Sequence, residues 1–538
     1  MRDTKTKTLV GRLLRGAAAA FVLLLAVNAQ AAVPGITGPT FNLRAGPAYI
    51  SQPDGTSIYS WGYGCNVAPA GFAPTGISGS CDPMQIPGPT LIVTEGQRVT
   101  VNLTNNLPGA AGNTSILFPG FDVCAGTFSG GVCTPGGVQG LLTREAAPGG
   151  IVTYSFDTTG KAGTRAYYSG TQGDLQIEMG LYGAIIVLPA TVPPNCASGT
   201  PNDQAKAANL EVDFRLAAAA YNHSATCYDR EYLFQFSEID PRIHRQAEEQ
   251  KDLPCTQPTG CMLVKTELYH PAYYMINGRS MPDNMDPHYA IQYPHQPYNG
   301  NPHMHPGELT LLRIIGQGRW QHPFHEHGNH VRVLARDGNL LLARDPANPG
   351  GVDPQQRLAG PLLFTTTTTP GQAMDGIFLW TGKGLNWDVF GHHPADPSRG
   401  LAAVDPGCIP DANGYHNDPT APNYYEWCQD HNKALESKPF GNVGSGGPVT
   451  LPDANIVANG PWYSGTPYLG PDAAMRSVGP TPIPPSGTVA NPADSEAGFA
   501  FMWHSHNERE ITTNNIFPGG MLMMMLVDPR AFVIDESK

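Results

Sequence analysis

The sequence predicts an all-β protein of sandwich or Greek-key barrel domains. Three observations carry that expectation. Short apolar runs recur between turn residues, and no sustained helical period interrupts them. Glycine (62) and proline (52) are abundant, as where many turns join short strands. Charged residues make up only 14% of the chain, in keeping with a β-rich protein that carries long irregular loops.

The elements follow in order. Arg2, Lys5, Lys7, Arg12 and Arg15 make a basic start, and an apolar run from Ala17 to Val27 follows. Ala29-Gln30-Ala31 offers small residues where signal peptidase reads, so residues 1–31 are expected to be a secretory signal peptide, too short to span a bilayer comfortably. No later stretch approaches membrane length. A first β-unit is expected over residues 34–190. Its strands are Thr90–Val93, Arg98–Leu103 with strict alternation, Ile151–Phe156 and Gly183–Leu188. Val192 to Ala208 reads as a Pro/Asn/Gly-rich linker. A second unit is expected over 205–535, with strands at Glu231–Ser237, Glu308–Ile315, Val331–Ala335, Ile377–Trp380, Phe499–His506 and Met521–Val527. The polar run Asp240–Asp252 suits a short helix. Between about 386 and 497 periodicity dissolves into Pro, Gly, Asn and Asp, the composition of a long loop-rich insertion.

Without the signal segment, 27 basic residues face 44 acidic ones, a net charge of −17. That argues against nucleic acid as a partner. The ten cysteines fall into close sequential pairs: Cys65/Cys81, Cys124/Cys133, Cys196/Cys227, Cys255/Cys261 and Cys408/Cys428. Five local disulfides in an exported chain are the simplest expectation, placing the protein in the periplasm, at the cell surface or secreted. No C-x-x-C spacing suggests a metal–thiolate cluster.

The histidines carry the chemistry. All 17 lie at or after His223, and three H-x-H pairs stand out: His303/His305, His325/His327 and His504/His506. Chance placement gives about 0.5 such pairs, so the pattern is informative. In a strand, residues i and i+2 share a face, and two imidazoles on one face bind one metal ion or two adjacent ions. Imidazole suits copper, zinc, iron and nickel. His392-His393 and the isolated histidines read as surface or hydrogen-bonded residues. The run Met521, Met523, Met524, Met525 is a soft-ligand candidate that reads better as core packing of a terminal strand.

These motifs together resemble the multicopper oxidase family. Pro87-Gly88-Pro89-Thr90 through Asn105-Asn106-Leu107-Pro108 is similar to that family's opening strands, and Gln176 with Gly180-Leu181-Tyr182-Gly183 to its domain-closing signature. His322-Pro323-Phe324-His325-Glu326-His327-Gly328 matches H-P-x-H-x-H-G, and His504-Ser505-His506 with Gly519-Gly520-Met521 resembles the terminal H-C-H region. The resemblance implies two cupredoxin-like Greek-key β-sandwich domains, the second bearing the insertion. It also exposes departures. The H-W-H-G motif falls on Leu117-Phe118-Pro119-Gly120, and an H-S-H motif falls near Tyr168-Ser169-Gly170, all without histidine. The blue-copper thiolate position is Ser505 and its second imidazole position is Glu510, leaving only His322.

Four family ligands survive: His325, His327, His504 and His506. By resemblance they converge on one copper site, with zinc an alternative on donor type. His322, His303 and His305 are further ligand candidates, while His322 with Glu510 reads rather as a buried hydrogen-bonded pair. Glu508 and Glu510 are the acid–base candidates. The expectation is an exported copper-dependent oxidoreductase without a blue centre, acting on a small molecule or a metal ion. The alternatives are a non-catalytic copper-binding protein for tolerance or delivery, and a metal-free binding scaffold. Homo-oligomerisation is left open.

Overall fold

A computed structural model describes residues 32–384, 409–430 and 498–537, apart from positions 78, 349 and 422–423, together with the strand Gly465–Tyr468. The expected segment 1–31, Cys408, His392-His393 and most of the expected insertion lie outside the described residues.

The fold is all-β, with cupredoxin-like β-sandwiches. Residues 35–188 supply two large sheets and two short two-stranded ones. One large sheet runs Gly163–Tyr168, Tyr182–Leu188, Leu91–Thr94, Gly35–Thr37, Phe72–Ala73; the other runs Ile151–Asp157, Arg98–Asn105, Thr40–Ser51, Ser57–Cys65. Val99, Val101 and Leu103 alternate inward along one strand and meet Trp61, Tyr154, Phe156, Tyr167 and Ile185 in the space between the sheets. The hairpin Thr40–Ser51/Ser57–Cys65 was not among the strands expected from the sequence, and Gly46 and Pro47 lie within it. Both sit inside a continuous register, with Pro47 opposite Trp61.

Residues 230–527 supply the other large sheets. In one, Arg230–Ile239 lies between Tyr273–Ile276 and Leu309–Gly316, followed by Ala373–Leu379 and Val331–Arg336. In the other, the order is His303–Met304, Leu522–Val527, Gly498–Ser505, His322–His325, Thr365–Thr368, with Gly465–Tyr468 pairing on Gly498–Ser505. Phe234, Phe324, Phe501, Trp503, Met521, Met523 and Met525 fill the space between them. The methionine run is therefore largely core: Met521, Met523 and Met525 are fully buried. Arg230–Ile239 is buried at every residue. Its Leu233, with Ile315 and Ala373, packs against Val33, Ala166, Ala184 and Ile186 of the first half. Half of this strand is nevertheless polar: Arg230, Glu231, Gln235, Ser237 and Glu238 are buried with its apolar residues.

The helix Pro241–Glu249 falls in the polar run where one was expected, capped by the Asp240 side chain. The stretch read as an irregular linker holds a second helix, Pro201–Ala208. Thr200 and Asp203 form a capping box and Pro201 sits in the first turn, a start pattern that the surrounding Pro/Asn/Gly composition obscured.

Four disulfides join the expected partners Cys65–Cys81, Cys124–Cys133, Cys196–Cys227 and Cys255–Cys261. Cys428 is disulfide-bonded as well. Among the described residues no helix is long and apolar enough to cross a membrane.

Candidate metal centre

Two adjacent strands build the site. His322–His325 pairs antiparallel with Gly498–Ser505, placing His325 opposite His504 and Phe324 opposite Ser505. Alternation then sorts the side chains. Phe324 and Trp503 turn into the core, while His325, His327, His504 and His506 share the other face. Gly328, with φ of 96°, bends the chain away directly after His327, a conformation that a side chain resists.

The four rings cluster. Ring centroids lie 4.7 Å apart for His325/His327, 4.8 Å for His325/His506, 5.1 Å for His327/His504, and 5.7 Å for both His325/His504 and His504/His506. His325, His327 and His504 are buried and His506 is exposed at the rim. Hydrogen bonds set two of the rings. His504 Nδ1 lies 2.7 Å from the Ser505 carbonyl, which only accepts, so Nδ1 carries the proton and Nε2 offers a lone pair. His325 Nδ1 lies 2.7 Å from the Thr365 hydroxyl. The Trp503 indole N–H donates to the His327 carbonyl at 2.9 Å and braces the turn. His504 Nε2 and His327 Nε2 face each other at 3.3 Å. Tetrahedral coordination with bonds of 2.0–2.1 Å sets neighbouring nitrogens roughly 3.3 Å apart, the spacing of this one pair. Burial, together with the neighbouring imidazoles His327, His506 and His504, pushes His325 down to about 4, and burial also pushes His504 down. Neutral rings are the form that ligates.

The other candidates are placed elsewhere. Glu508 is exposed, close enough to His504 to favour its charged form. Glu510 is buried on the core side of the strand, where it meets His322 Nδ1 at 2.9 Å and accepts from the Ser505 hydroxyl. It is thus turned from the imidazole cluster. His303 Nδ1 meets Asp528 Oδ2 at 2.6 Å. His305 Nε2 meets Glu211 Oε2 at 2.9 Å, and its Nδ1 meets the Asp528 carbonyl at 3.1 Å. Glu211, His305 and Glu308 bring one ligand atom each within 4.8 Å of one another. The buried Arg230 guanidinium already bonds both of those carboxylates. Burial pushes Glu211 up, but Arg230 and His305 override it and hold it at about 2. Both carboxylates of that cluster are thus already ion-paired to Arg230. Isolated histidines behave as expected: His244 is buried between the Tyr59 and Glu178 carbonyls, and His288 bonds the Ala32 carbonyl.

Three residues escaped sequence reading. Glu238 holds His322 Nε2 at 2.9 Å; a glutamate near the end of that half-polar strand gave no hint. Thr365 sits in a run of five threonines with nothing to single it out. Glu326, between the two ligand-type histidines, is fully buried, and burial raises its carboxyl well above the ordinary range.

Residues 83–191 match the family model described as multicopper oxidase. Over that stretch, about a fifth of its length, the chain is similar to the multicopper oxidase family. Over 109 residues it is 34% identical to the iron transport multicopper oxidase FET3 of Saccharomyces cerevisiae, a match spanning 20% of this chain and 16% of that protein. Among solved structures it is similar to the multicopper oxidase mgLAC (14% identity, 91% of this chain and 86% of that one, TM-score 0.43) and to a blue copper oxidase from Nitrosomonas europaea (14% identity, 91% and 85%, TM-score 0.42). The family match thus rests on the half of the chain without histidines. There Leu117 and Tyr168, the segments standing where family histidines are expected, bridge each other backbone to backbone. Beside them Ser115 and Thr171 share a hydrogen bond of 2.8 Å and Thr171 donates to Glu145. A cluster needing imidazoles from both halves does not fit these residues.

Proposed function

We propose that the protein is an exported, copper-binding oxidoreductase of the multicopper oxidase type, with one histidine-held copper centre and no blue centre. The observation that carries this reading is the facing pair His327 Nε2 and His504 Nε2 at 3.3 Å, with His504 Nδ1 committed to the Ser505 carbonyl. His325, His327, His504 and His506 would hold the ion. Copper there supplies one-electron redox chemistry. Thr365 and the Ser505 carbonyl orient rings, Trp503 braces the His327 backbone, and exposed His506 leaves the rim open to a small molecule. Glu508, at that rim, is the acid–base candidate. The disulfides and the basic–apolar first 31 residues support export.

Copper loading followed by dialysis tests the reading. About one copper per chain is expected, with a tetragonal paramagnetic resonance signal and no intense thiolate-to-copper band. His504→Ala should release the metal. Retained copper that never oxidises a model phenol would point to a carrier instead, and failure to retain copper would sink both.

A further inference from the structure

Behind the four imidazoles, on the core side of the same strands, His322 is wedged between two carboxylates. Its Nε2 lies 2.9 Å from Glu238 Oε2 and its Nδ1 lies 2.9 Å from Glu510 Oε2. All three side chains are buried: His322 is 0% exposed, Glu238 2% and Glu510 1%. A neutral imidazole has one N–H and one lone pair. It satisfies one of these carboxylates and turns a lone pair on the other, which is costly in a dry interior.

Neither carboxylate is placed to lend the missing proton. Glu238 Oε1 accepts the backbone N–H groups of Arg319 (2.7 Å) and Trp320 (2.8 Å) and the Tyr269 hydroxyl (3.2 Å). Glu510 Oε2 also accepts the Ser505 hydroxyl, and its Oε1 accepts the Asn507 amide at 2.9 Å. Every further partner of the pair is a donor, the environment of ionised carboxylates. We infer that His322 is an imidazolium at neutral pH, a built-in organic cation between Glu238 and Glu510 that closes the Ser505 position to metal.

Burial alone would strip the proton from His322. The hydrogen bonds to Glu238 and Glu510 outweigh it and raise the ring to about 9. Other titratable groups face the cluster: Tyr274, bonded by Arg509, interacts with Glu510 and Glu238, Tyr182 interacts with Glu238, and Tyr269 and Arg319 lie on the Glu238 side. Tyr269 hydrogen-bonds Glu178 as well as Glu238, and Arg319 lies 4.3 Å over the Tyr269 ring. An imidazolium within hydrogen-bond distance of both carboxylates offsets part of their charge without a metal, and an added divalent ion there would meet a fixed positive charge. The inference concerns the face opposite the four imidazoles and stands whether or not copper binds there.

Histidine-selective ¹⁵N labelling of the metal-free full chain tests it, with His322→Gln assigning the resonances. Both ring nitrogens of His322 should carry protons at pH 7.5; one bare nitrogen overturns the inference. A second arm removes the internal cation. In H322A the two carboxylates lose their counter-charge, so manganese(II) should raise the melting temperature of H322A by at least about 3 °C and leave the wild type within about 1 °C. Wild type stabilised by manganese(II), with the effect lost in Glu238→Gln, overturns the inference, because the seat would then accept metal with His322 in place. Should H322A fail to fold, the nitrogen spectra of the wild type still decide.

Discussion

At the scale of single residues, the proposed metal centre depends on contacts one atom behind the ligands. The Thr365 hydroxyl lies 2.7 Å from His325 Nδ1 and restrains the ring. Partners of this kind typically contribute 10–100-fold to metal affinity. Thr365→Val should therefore weaken copper binding by about that factor in a competition titration, while Thr367→Val, at an exposed position of the same strand, should leave it unchanged. The methionines give the opposite expectation. Met523 is fully buried opposite Trp503 and packs within the second core. Met523→Leu preserves volume, so it should cost under about 1.5 kcal/mol on thermal unfolding and leave the copper count unchanged. A lower copper count would return the methionine run to the list of soft ligands.

At the scale of elements, what could be read early was what has a period. Arg98–Asn105 and Gly498–Ser505 were legible because alternation is their reason for existing: one face is core, the other is something else. The same alternation joins His504 and His506 as a pair and puts Ser505 on the far face. Glu238 and Thr365 stayed invisible because their roles come from pairing between residues 84 and 40 positions apart in sequence. No local pattern records such a contact. The helix Pro201–Ala208 was hidden differently: its start motif was written in the sequence, but composition spoke louder. Its capping box makes a direct prediction. Thr200 accepts the Asp203 N–H at 3.1 Å, and Asp203 Oδ2 accepts the Thr200 N–H at 3.0 Å. Thr200→Ala should cost about 1 kcal/mol in denaturant unfolding, with the copper centre untouched.

At the scale of the whole molecule, the two halves meet through buried charge. Asp375 of the second half accepts the Thr164 hydroxyl at 2.6 Å and the Tyr221 hydroxyl at 2.5 Å, near Arg313. Glu178 of the first half accepts the backbone N–H of Asp240 at 2.7 Å and shares a 2.5 Å hydrogen bond with Tyr269. Burial, with the negative charge of Glu238 adding to it, lifts Glu178 to about 8. Because this carboxyl is more basic folded than unfolded, where it titrates near 4.5, the folded chain holds an extra proton between those values. Its contribution is therefore full below about pH 4.5 and is lost as pH rises towards 8. Glu178→Gln stays neutral throughout and escapes that loss. The stability of the variant relative to wild type should accordingly improve by a few kcal/mol at most between pH 5 and pH 8, since each pKa unit is worth about 1.4 kcal/mol. Calorimetry of both proteins at the two pH values measures the difference, in which groups common to both cancel. A difference that stays constant would mean that Glu178 is ionised at both, and that the contact between the halves bears an uncompensated negative charge.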